Sequence, residues 1–145
     1  MAVNLAVAER WVTEHPDTEF DFFLPPYSIL FWDKVIREGR TEAVFAAIRQ
    51  AGQTLLQYDN VKFYGYLMDP EIVTNLDNYC DYIHHSGGVC REILTMLQRE
   101  EGRLTEENLE ETLANWREFV VHYDYDQFWD ERFWIQWNAE HAAAP

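Results

Sequence analysis

The sequence predicts an all-α fold: one compact domain spanning residues 1–145, built from about six helices in an orthogonal or irregular bundle. Three observations lead there. Apolar residues recur at three- and four-residue steps through most of the chain. Glycine, proline and capping residues punctuate those stretches at helical lengths. A single segment alternates as a strand would, and one strand has nothing to pair with.

Taken in order, residues 3–14 place Leu5, Ala8, Trp11 and Val12 on one helical face, with Pro16 as the stop. The following DTEFDFFLPP cannot continue that helix, because Pro25 and Pro26 force their neighbours towards extended conformations. Its Phe20, Phe22, Phe23 and Leu24 predict a segment lying across the core. Residues 27–39 carry Ile29, Trp32, Val35 and Ile36 in helical register and end at Gly39. Thr41 caps the next expected helix, whose stripe is Val44, Ile48, Ala51, Leu55 and Tyr58; Gly52 interrupts it at a cost of about 1 kcal/mol relative to alanine.

VKFYGYLM, residues 61–68, is the segment that alternates, and without a partner it is expected to be an irregular or helical connection. Asp69-Pro70 then reads as a cap and first helical residue for EIVTNLDNYCDYIHH, with Ile72, Leu76, Tyr79, Cys80 and Ile83 on one face and Ser86-Gly87-Gly88 as its end. Residues 89–101 resume a helix through Cys90, Ile93, Leu94 and Leu97, closed by Gly102. From a cap at Thr105 the last long helix runs through Leu109, Leu113, Trp116 and Val120, with Glu106, Glu107, Glu110 and Glu111 favourably placed at the positive end of its dipole.

Charge narrows the choice of partners. With 48% hydrophobic and 16% aromatic residues, the net charge of −15 decorates a folded body and not a disordered tail. The 26 acidic against 11 basic residues oppose phosphates and anionic lipids, so direct binding to nucleic acid or membrane is not expected. The N-terminus has neither a basic n-region nor a long apolar core, and Cys80 and Cys90 are too few for a secreted disulfide scaffold. A cytoplasmic protein with reduced thiols, and no cofactor, is the expectation.

The strongest chemical candidate is YCDYIHHSGGVC, residues 79–90. If the helix ran to His85, Cys80 and His84, and likewise Asp81 and His85, would sit four apart on a shared face, the spacing with which one helix supplies two metal ligands. Core filling by Cys80 and interaction of His84 and His85 with a helix C-terminus account for the same residues without a metal. Ser28 and Ser86 are the sole serines and neither lies in a GxSxG elbow, so serine-hydrolase chemistry fits poorly; no family signature surrounds either cysteine. Gly87-Gly88 lacks the remaining glycines and the Lys-Ser/Thr pair of a phosphate loop. EF-hand loops started at Asp17 or Asp124 fail at the glycine and at the terminal glutamate.

The remaining signal is a surface. Acidity is densest in residues 101–145, which also hold Trp116, Trp129, Trp134 and Trp137. Helical geometry of about 100° per residue spreads Phe128, Trp129, Phe133, Trp134 and Trp137 too widely for one core contact, leaving Phe128 or Trp134 for a second, rimmed by Asp126 and Asp130. Glu106, Glu107, Glu110, Glu111, Asp124, Asp126, Asp130 and Glu131, with Phe128, Trp129 and Trp134, are the expected partner-binding residues. Acids speed encounter with a basic cleft and desolvated tryptophans supply affinity. The expected function is a non-enzymatic module that occupies a basic, nucleic-acid-binding surface of another protein. It resembles, in composition alone, the acidic inhibitors that phages and plasmids use against restriction or CRISPR machinery. A metal-binding regulator using Cys80, Asp81, His84 and His85, or calcium on scattered carboxylates, is the alternative, and a small enzyme with an unrecognised site the third. So many aromatics are also compatible with a homodimer.

Overall fold

The computed structural model describes the backbone of residues 2–129 and Ile135, with side chains from Leu5 onward. Six α-helices are present among those residues: α1 (Ala2–Glu14), α2 (Ile29–Arg37), α3 (Thr41–Leu55), α4 (Pro70–Val73), α5 (Gly87–Gln98) and α6 (Leu109–His122). The fold is nevertheless not all-α. Three short strands, β1 (Phe20–Phe23), β2 (Val61–Tyr64) and β3 (Arg103–Leu104), form a mixed sheet in the order β1-β2-β3. β1 runs parallel to β2 with Phe20 opposite Val61, and β3 joins β2 antiparallel.

The correction has a physical reason. A parallel partner lies a whole crossover away in sequence, so β2 finds its neighbour on the far side of α2 and α3, in the segment expected merely to cover the core. Phe20, Phe22, Val61 and Phe63 join the main core with the helices, whereas Tyr64 faces the other way into a second cluster with Tyr66, Ile72, Val89 and Ile93. The sheet thus has apolar contacts on both faces, as parallel pairs require.

The helical stripes that were clean in sequence bury as their period predicts: Ile48 and Leu55 on α3, and Leu109, Leu113, Trp116 and Val120 on α6. Gly52 marks where these helices touch, since a Cβ there would lie 2.7 Å from Leu109 Cδ2. Trp11 departs from its expected stripe and stands 49% exposed, leaving Val12 as the deepest anchor of α1. Near the end of the described chain, the Trp129 indole donates to Asp33 Oδ2 at 2.8 Å. Asp33, 4% exposed, is also held by Arg37 at 2.7 Å. Residues 126–128 are a 3₁₀ turn, and the helix expected through Trp137 otherwise lies outside the described residues apart from helical Ile135. None of the described helices is long and apolar enough to cross a membrane.

Candidate functional site

The long helix expected from Pro70 to His85 does not form. α4 stops at Val73, a 3₁₀ turn covers Leu76–Asn78, and residues 79–86 are a closed loop. Short polar side chains redirect the backbone past Val73: Asn75 Oδ1 accepts from the Asp77 amide, and the Asn78 side-chain amide donates to the Ile72 carbonyl. The base of the loop is closed by a Tyr79–His85 bridge, by the Cys80 amide donating to the His84 carbonyl, and by the Ser86 amide donating to the Asn78 carbonyl. Ser86 is therefore the N-cap residue of α5 and not the end of a preceding helix.

Asp81 organises the tip. Its Oδ1 accepts from the Ile83 amide at 2.9 Å and the His84 amide at 2.8 Å, while Oδ2 meets His84 Nδ1 at 2.7 Å. The hydrogen bond from His84, then those from the two amides, hold the Asp81 carboxyl down to about 2, so it is ionised at neutral pH. An ionised carboxylate only accepts, so the hydrogen bond between the two requires a proton on Nδ1, and in the neutral tautomer which that bond favours the lone pair is on Nε2. The imidazole is 73% exposed, and among the described residues no hydroxyl or thiol is hydrogen bonded to it.

The tip is fastened to a defined place in the fold. The Tyr82 carbonyl accepts from both the Ser28 amide, at 3.1 Å, and Ser28 Oγ, at 3.0 Å. Tyr79 Oη donates to the Pro26 carbonyl at 2.9 Å, and Lys34 Nζ lies 5.2 Å from the centre of the Tyr82 ring. Pro26 and Ser28 directly follow β1, so the Asp81–His84 turn is tied to the chain just past the carboxyl end of the parallel pair.

No family model matches the chain, and no solved structure matches it. Among curated proteins it is similar to a "UPF0735 ACT domain-containing protein" of Lacticaseibacillus casei (strain BL23) and to one of the same description from Lacticaseibacillus paracasei (strain ATCC 334), each 26% identical over 90 residues. The match covers 62% of this chain and 62% of each relative, so the chain spans less than two thirds of their length. Neither description states an activity.

Of the expected metal ligands, the structure joins Asp81 to His84 but places His85 Nδ1 3.6 Å from Cys90 Sγ instead. Cys80 is exposed and not packed in the core. Among the described residues no group of three or more His, Cys, Asp and Glu side chains is arranged to hold a metal. On the acidic surface, Glu106, Glu107, Glu110, Glu111, Asp124 and Asp126 are all exposed. Glu110 is ion-paired with Arg49 at 2.9 Å, and a hydrogen bond from Thr105 lowers the Glu107 pKa. Because α6 starts at Leu109, only Glu110 and Glu111 occupy its first turn. Phe128 packs on the main core and Trp129 is engaged by Asp33, so these two aromatics are largely spent within the domain. Asp130, Glu131 and Trp134 lie outside the described residues.

Sequence reasoning missed Ser28 and Tyr79 as supports, and missed the pairing of Asp81 with His84. The signal for the pair was their three-residue separation with two intervening residues, D-Y-I-H, which closes an Asx-type turn only if the chain leaves the helix.

Proposed function

We propose that residues 79–86 provide the acid/base half of a hydrolytic or group-transfer site, with His84 as general base and Asp81 as the group that orients it. The observation that carries this reading is the geometry of Asp81: both its oxygens are used, one to shape the turn and one to fix the tautomer and direction of the imidazole. That is the role of the carboxylate in nucleophile–histidine–carboxylate sites, where it holds the base and stabilises the imidazolium that forms. His84 Nε2 would take a proton from water or from a hydroxyl or thiol of a bound substrate, and return it to the leaving group.

Hydrolysis of p-nitrophenyl acetate by the native protein tests the reading. Replacement His84→Ala should lower the protein-dependent rate by about 10²-fold, the lower end for general acid–base catalysis, and Asp81→Asn should lower it while leaving the fold intact. A rate unchanged by His84→Ala contradicts it.

A second reading is favoured by the exposure of Glu106, Glu107, Glu111, Asp124 and Asp126 on one stretch of chain: an acidic face that docks on a basic protein surface, including one that serves nucleic acid. Charge reversal at Glu106, Glu107, Glu110 and Glu111 would weaken such binding, and binding by the parent would fall with salt. Affinity unmoved by that reversal removes this face from consideration.

A further inference from the structure

We propose that the outer edge of β1 is a docking site for an extended strand of a partner protein, one with alternating apolar residues and a basic side chain. β1 is the outer strand of the sheet. The Phe20 amide donates to the Asn60 carbonyl and the Leu24 amide to the Tyr64 carbonyl, so residues of that parity face β2. By the alternation of a strand, the N–H and C=O groups of Asp21 and Phe23 point outward. Among the described residues no backbone group is bonded to them. An outward row of donors and acceptors at strand spacing is matched by the backbone of another strand.

Two further features specify that strand. Beside the edge runs a groove of about 600 Å³, lined on its α1 side by Leu5, Ala8 and Trp11 and on its strand side by Phe22, Phe23 and Leu24. Phe23 and Trp11, 40% and 49% exposed, are two of the exposed large hydrophobic residues of the protein. Apolar side chains on one face of the incoming strand would fill this groove. On the open edge itself stands Asp21, exposed and in no ion pair among the described residues, which calls for Lys or Arg beside it. The same charge disfavours a second copy, since two chains of net charge −15 would bring Asp21 against Asp21.

The test is selection of random peptides about ten residues long, by display against the native protein, followed by amide hydrogen exchange of the complexes. Enriched peptides should alternate apolar residues and carry Lys or Arg, and should slow exchange at Asp21 and Phe23 by about tenfold or more. Phe23→Pro removes an outward N–H while leaving the Phe20 and Leu24 bonds to β2, and should abolish this binding with those two amides still protected. Asp21→Lys, which leaves the backbone unaltered, should shift enrichment from basic to acidic peptides. His84→Ala should bind as the parent does, so failure of the acid/base reading leaves this result standing. No enrichment, peptides that protect another segment, or a homodimer that already protects Asp21 and Phe23 would each overturn the proposal.

Discussion

Ser28 offers a direct measure of how the Asp81–His84 turn is held. Its side chain is fully buried and its Oγ and amide both donate to the Tyr82 carbonyl, one residue after Asp81. Ser28→Ala removes one donor and leaves the other, so the carbonyl is not orphaned and the loss is that of a single net hydrogen bond, about 1 kcal/mol. Tyr79→Phe removes the second tie, to Pro26, for a similar cost. Both bonds hold the loop against the same segment, so they should govern its local opening. At 1.4 kcal/mol per factor of ten, each variant should speed amide exchange at Ile83 and His84 about fivefold and the pair about 30-fold. Amides of α3 such as Ile48 should change only as far as global stability does. Exchange at Ile83 and His84 that tracks Ile48 in every variant would refute a local clamp.

Three other outcomes follow from the same geometry. The Asp81 carboxyl is depressed in the fold, so the ordering it gives the turn is fully present above its ordinary value of 3.8 and is lost as pH falls through about 2; nuclear magnetic resonance of the Ile83 and His84 amides between pH 5 and pH 2 should show this, and Asp81→Asn should abolish the transition. Asp33→Ala removes a charged partner of Arg37 and a hydrogen-bond acceptor of the Trp129 indole, and should destabilise by about 1.5–3 kcal/mol in urea unfolding, with a change in tryptophan emission. Gly52→Ala forces a Cβ against Leu109 and should destabilise alone, yet become neutral or stabilising by up to about 1 kcal/mol in a Leu109→Ala background, which a double-mutant cycle resolves.

What could be read from the sequence was what is local. The stripes of α3 and α6 are set by periodicity, and their core residues are buried as expected. The sheet was not legible, because Val61–Tyr64 pairs with Phe20–Phe23 across two intervening helices, and four-residue strands carry little alternation of their own. The candidate site was half legible. Residues 79–90 stood out by their Cys, Asp and His content, but helical spacing grouped Asp81 with His85. The actual chain turns at Asn75 and Asp81, whose side chains bind nearby amides and so group Asp81 with His84. Ser28 carried no signal at all, since its role depends on a contact 54 residues distant.

The most direct test of the central claim is the tautomer of His84 at a pH where its ring is neutral, read from long-range proton–nitrogen correlation spectra. Orientation by Asp81 predicts a protonated Nδ1 and an unprotonated Nε2, and loss of that preference in Asp81→Asn. A ring protonated mainly on Nε2 in the native protein, or one unaffected by Asp81→Asn, would contradict a general base at His84.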